Sequence, residues 1–113
     1  MQEKRPSKLV NLLERIRNCI NTGMYRDTFH AIKRKLERNI TLPEIIHVLQ
    51  TGRHEKNKDN FDKVFNSWNY AIRGKTIDGY ELRVIVSFDE ERELLIITTF
   101  YLGRGTKNEK TKS

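Results

Sequence analysis

The sequence holds one cysteine, two prolines and one tryptophan in 113 residues, and each scarcity removes a class of protein. A lone Cys19 forbids an intrachain disulfide, so a reducing, cytoplasmic setting is expected. No apolar run approaches the ~20 residues of a membrane span. The charged start, "MQEKRPSK", lacks the apolar core of a signal peptide. Three histidines, His30, His47 and His54, stand 17 and 7 residues apart with no HxxxH or CxxC spacing, so no metal site is expected. None of the six glycines builds a phosphate-cradling loop, which argues against nucleotide hydrolysis and against a bound cofactor.

What is plentiful is charge. Charged residues make up 33% of the chain against 36% hydrophobic, with a net charge of +7 and an isoelectric point near 9.7. That balance points to an anionic partner: nucleic acid, an acidic protein or a membrane surface. Residues 1–8 contribute +2 and residues 102–113 contribute +3, leaving +2 for everything between. The excess is therefore concentrated in the tails. Residues 1–101 are expected to form one domain, long enough for a single modest core, followed by a basic, disordered tail over 102–113.

Leu9, Leu12, Leu13, Ile16 and Ile20 recur at helical spacing and predict a first helix over 8–21, closed by Gly23. "MYRDT" reads as a brief, extended connection. A second helix is predicted from Thr28, its N-cap, to Asn39, with Phe29, Ile32 and Leu36 as its core stripe. Thr41, Pro43 and Glu44 announce a third helix through a capping box, ending at Gly52. "RHEKNKDNFDK" has no apolar period and reads as a loop or a frayed edge strand. Beyond it the period becomes two: Phe65, Trp68, Tyr70 and Ile72 share one side, and Leu82, Val84, Val86 and Phe88 follow. Asp78-Gly79 signals a two-residue hairpin, and "LLIITTFY" a third strand of a meander. The order predicts an α+β fold with N-terminal helices packed on one face of a curved antiparallel sheet.

The second helix also carries His30, Arg34 and Arg38 at four-residue steps, away from that expected stripe. Metal-free RNA cleavage uses the 2′-hydroxyl as nucleophile and needs a proton acceptor, a proton donor and cations on the phosphate. Histidine titrates near neutrality and arginine grips phosphate in a bidentate fashion, so this row has the right chemistry. A solvated basic face has the same pattern. Arg73, Lys75 and Arg83 are expected near the hairpin, Arg73 and Arg83 on the side opposite the apolar alternation, with Thr98 and Tyr101 at the end of the last strand. Cations on neighbouring strands make a positive groove in which an aromatic ring can stack on a base.

"FHAIKRKLERNITLPEIIHVLQTG" resembles the opening of the prokaryotic domain of unknown function numbered 4258. The matching features are His30-Ala31, Arg34, Arg38 with Ile40-Thr41, and Gly52, while Asn39 stands where many relatives have glycine. "YELRVIVSF … LLIITTFY" resembles the closing hairpin of that domain, so the likeness spans residues 28–101 and leaves the first helix outside. The domain is linked by fold to the RelE/barnase-like ribonuclease toxins, including the MqsR-type interferases. The resemblance implies a metal-independent endoribonuclease of a toxin–antitoxin pair, with RNA, an acidic antitoxin and the ribosome as partners. Only His30, Arg34 and Arg38 are carried over by the motif; Arg73, Lys75, Arg83, Thr98 and Tyr101 rest on strand placement. In this reading His30 is acid or base, Arg34, Arg73 and Arg83 hold the phosphate, and Tyr101 orients or stacks. The antitoxin would cover the basic groove. The alternative is a non-catalytic module that binds nucleic acid or protein through the same face. A structural part of a larger complex is a third option.

Overall fold

The computed structural model describes residues 5–104. Helices precede strands: α1 (Leu12–Thr22), a short β1 (Tyr25–Asp27), α2 (Phe29–Arg38) and α3 (Leu42–Thr51) come first. Then follow β2 (Arg53–His54), a 3-10 turn (Lys56–Lys58), β3 (Asn60–Asp62) and the meander β4 (Ser67–Lys75), β5 (Tyr80–Phe88) and β6 (Leu94–Arg104). The strands form an open, mostly antiparallel sheet in the order β1-β6-β5-β4-β2, with β3 also paired to β4. The fold is α+β, as the order of periodicities predicts.

The alternation in β4 and β5 decides which face is covered. Tyr70, Ile72, Leu82, Val84 and Val86 point to the helices and are buried. Against them pack Leu12, Ile16 and Ile20 of α1 and Ile45, Val48 and Leu49 of α3. Cys19 joins this core, and burial pushes its thiol pKa up. α3 starts on the predicted capping box: the Glu44 amide donates to Thr41 Oγ1, and Glu44 Oε1 accepts from the Thr41 amide. It ends hard against the sheet. A Cβ on Gly52 would lie 2.5 Å from the Arg73 carbonyl oxygen, and one on Gly74 3.0 Å from Gly52 Cα. Backbone meets backbone there.

Several expectations are corrected. α1 begins at Leu12, after a left-handed Asn11, because residue 9 is drawn off to the sheet, where the Leu9 amide donates to Tyr70 Oη at 2.9 Å. The connection before α2 is extended, as expected, and also pairs in parallel with β6 through Tyr25↔Leu94 and Asp27↔Ile96, which three residues are too few to announce by a period. Four residues, not two, separate β4 from β5: the Thr76 amide donates to the Tyr80 carbonyl at 2.8 Å and closes a turn over 77–79, with Gly79 at φ +90°. Phe65 is 77% exposed in the turn before β4 rather than aligned with Trp68. β6 continues to Arg104, held by Tyr80↔Arg104, so residues 102–104 of the expected tail are strand. Residues 105–113 lie outside the described residues.

The largest correction concerns α2. Phe29, Ile32 and Leu36 are 83%, 42% and 79% exposed, and the side turned to β6 carries Ala31 with Arg34, Lys35 and Arg38. Polar anchors outweigh the apolar stripe. Thr28 Oγ1 caps the helix and donates to the Ile96 carbonyl. Lys35 pairs with Asp27 of β1, and Arg38 donates to the Thr99 carbonyl of β6. Ala31, fully buried, lets the helix approach closely.

Candidate nucleic-acid interface

The second sheet face, turned away from α1 and α3, carries the chemistry. Strand register puts like side chains in line across neighbouring strands, about 5 Å apart. Arg53 of β2 pairs with Arg73 of β4, Arg73 with Arg83 of β5, and Arg83 with Phe100 of β6. Arg38 of α2 extends the row, its guanidinium 4.9 Å from the centre of the Phe100 ring. Four arginines and a partly exposed aromatic ring thus form one rung across the sheet.

Two arginines directly opposed on adjacent strands repel. Glu55, just past β2, lies between them. Its Oε1 accepts from Arg83 Nε at 2.8 Å, and its Oε2 from Arg83 Nη2 at 3.2 Å and Arg73 Nη1 at 3.3 Å. Arg73 Nη2 is further bound to Glu81 at 2.6 Å. Hydrogen bonds from Arg83, then Arg73, hold the Glu55 carboxyl below its ordinary pKa of 4.5. Glu81, then Glu55, keep the Arg73 guanidinium more firmly protonated. Arg53 is exposed and has no such partner among the described residues. It lines a basic hollow of about 470 Å³ with His47, Arg73 and Lys75, at the end of α3.

The other end of the same face differs. Between the start of α2 and the turn before β4 runs a groove of about 890 Å³, floored by Leu95, Ile97, Ser87 and Asn69. His30 lines its rim, in company with Asp62, Asp89, Glu90 and Glu91. Asn69 and Arg73 are four residues apart on β4, so groove and rung are separated by roughly 13 Å. Thr98, paired with Ile85, lies in the layer between them and is buried.

The expected site residues are therefore distributed as follows. Arg73 and Arg83 converge, on a carboxylate, and Arg38 joins their row through Phe100. Arg34 is engaged with Glu37 at 2.7 Å. His30 opens α2 and Arg38 closes it, about 12 Å apart along the helix axis. Lys75 is exposed on the hollow beyond the rung. Tyr101 pairs with Leu82, on the helix-covered side, and leans on Tyr80 with ring centres 5.6 Å apart. It is on the opposite side of the sheet from Arg83.

Sequence reasoning missed Arg53, Glu55 and Phe100. Arg53 and Glu55 fall in a stretch without apolar period; only the pairing of β2 gives Arg53 a register and sets Glu55 just beyond it. Alternation counted along β6 could have found Phe100, but a register shift opposite Ile85/Val86 breaks the count. The same stretch hides a polar clasp. The Asp59 carboxylate, with no exposed surface, accepts from Lys8 Nζ at 2.9 Å and the Ala71 amide at 2.9 Å, and meets His54 Nε2 at 2.8 Å. Together with the pairing of β2 and β3, it fixes segment 53–62 to β4.

Among the described residues no helix is long and apolar enough to cross a membrane. Residues 28–101 match the family model described as Domain of unknown function (DUF4258), which spans α2 through most of β6. No curated protein and no solved structure matches the chain.

Proposed function

The chain belongs to the DUF4258 family, and from that premise we propose that it is a small RNA-binding protein acting as a metal-independent endoribonuclease of RelE-like toxin type. The observation that carries the reading is the rung Arg53–Arg73–Arg83–Phe100, with Arg38 at its end. Guanidiniums spaced along one line suit the phosphates of a single strand, and an exposed ring beside them offers a base a stacking surface. Arg73 and Arg83 hold the phosphate in this reading, and Lys75 extends the positive surface. In this reading the strand runs on from the rung into the groove, where His30, about 12 Å from Arg38 along α2, is the imidazole offered for proton transfer. Work on cytoplasmic RNA, free or on the ribosome, and silencing by an acidic antitoxin laid over the rung, follow from the toxin reading.

The test is cleavage of mixed-sequence RNA in EDTA by the wild type, His30→Ala and Arg83→Ala. Cyclic-phosphate ends from the wild type, lost in His30→Ala, support the proposal. An unchanged rate in His30→Ala removes this histidine from the mechanism. A second reading, a non-catalytic binding module, is favoured by one observation: His30 lines a groove with four carboxylates, away from the arginines. Binding without turnover, on isolated RNA and on translating ribosomes, would decide for it.

A further inference from the structure

We propose that Glu55 is a built-in stand-in for phosphate, keeping the Arg73–Arg83 pair closed until the backbone of a single-stranded RNA displaces it. The inference rests on the RNA-binding reading and adds the regulation of that same site.

Three features support it. Arg83 presents Nε and Nη2 to the two oxygens of Glu55, and Arg73 adds Nη1 to the second, so two guanidiniums close on one oxyanion from two strands. This is the donor arrangement that a phosphodiester would take up, because both anions offer two oxygens to a planar fork. The carboxylate also comes from the right kind of element. Glu55 sits between the two-residue β2 and a 3-10 turn, in a segment joined to β4 at its edge, not within a long strand. Its own backbone amide donates to the Ala71 carbonyl, so a change of side-chain rotamer can empty the site while the chain stays in place. Finally, the closed site is not saturated. Arg53 stands open next in the row without a carboxylate partner among the described residues, so a strand whose phosphate displaces Glu55 also gains a cation that Glu55 does not engage.

Glu55 and Glu81 offset Arg73 and Arg83 and leave the rung the charge of Arg53 and Arg38. Arg53 is the first arginine an RNA strand meets on this row, and Glu55 sets the cost of engaging the next two. Swung outward, the carboxylate would return once the strand left, which makes the switch reversible without any ligand of its own.

Binding of a fluorescein-labelled, mixed-sequence 12-nucleotide RNA, followed by anisotropy over a salt series, tests the inference. Glu55→Gln keeps the side-chain size and removes the charge. It is expected to bind at least 5-fold tighter than the wild type, with a salt slope steeper by about 0.7 for each phosphate newly engaged. Arg83→Ala placed on Glu55→Gln is expected to abolish the gain. Glu81→Gln, which frees only one nitrogen of Arg73, serves as the second variant and is expected to give a smaller gain. Equal binding by the wild type and both Gln variants overturns the inference and leaves the RNA-binding reading standing. A gain that survives Arg83→Ala also overturns it. No binding by any of these proteins defeats the reading itself.

Discussion

Replacing Leu36 by alanine is expected to leave the protein almost as stable as before, although the residue sits in the strongest apolar stripe of α2. Complete burial of a leucine side chain stabilises by about 1.5–3 kcal/mol. Leu36 is 79% exposed, so about a fifth of that, roughly 0.3–0.6 kcal/mol, is at stake. Alanine is the better helix former and offsets part of the loss. Leu49 of α3 is the like-for-like control: it has no exposed surface, and Leu49→Ala should cost about 2–5 kcal/mol. Urea denaturation followed by circular dichroism measures both, through the shift of midpoint at constant slope. If Leu36→Ala moved the midpoint as far as Leu49→Ala, α2 would have to be turned about its axis. Arg38 would then leave Thr99 and Phe100, and the outer end of the rung would be lost.

Asp59→Ala should destabilise the fold by about 1–3 kcal/mol, because it strands the buried Ala71 amide and leaves His54 and Lys8 without their acceptor; a midpoint within error of the wild type in urea would show that the clasp is replaced by water. Glu55 predicts an acid limb. Its folded pKa lies below the ordinary 4.5, so its stabilising effect is complete above that pH and fades as pH falls through the lowered value. Thermal melts below pH 4.5 should therefore fall less steeply for Glu55→Gln than for the wild type, and parallel curves would refute the coupling.

Much of the fold was legible because its signals are local. Thr41 and Glu44 determine where α3 begins, Thr28 where α2 begins, and the period of two in β4 and β5 separates Ile72 and Val84 from Arg73 and Arg83. α2 misled because a hydrophobic stripe indicates which side of a helix is apolar, not which side the rest of the chain will cover. Here the covering was decided by Asp27, Thr99 and Phe100, none of them visible from the helix itself. The rung was half legible for a related reason. Arg73 and Arg83 could be assigned to one face, but Arg53 needed its partner strand and Glu55 its loop, and both lie in a stretch without any period. Long-range register is not written in spacing.

The parallel pairing of β1 with β6 has a consequence for how the chain is made. Thr28 reaches the Ile96 carbonyl across 68 residues of sequence, and β1 and α2 both rest on β6. At a synthesis rate of about 5–20 residues per second, β1 waits roughly 3–14 s after leaving the ribosome before its partner strand follows. α3 and the hairpin of β4 and β5 can assemble in that interval, but β1 and α2 cannot be seated. A nascent chain halted before Leu94 therefore has its outer layer undocked, and the arginine row lacks both Phe100 and Arg38. The arginine row is completed only when β6 is in place, so an unfinished chain does not present it whole.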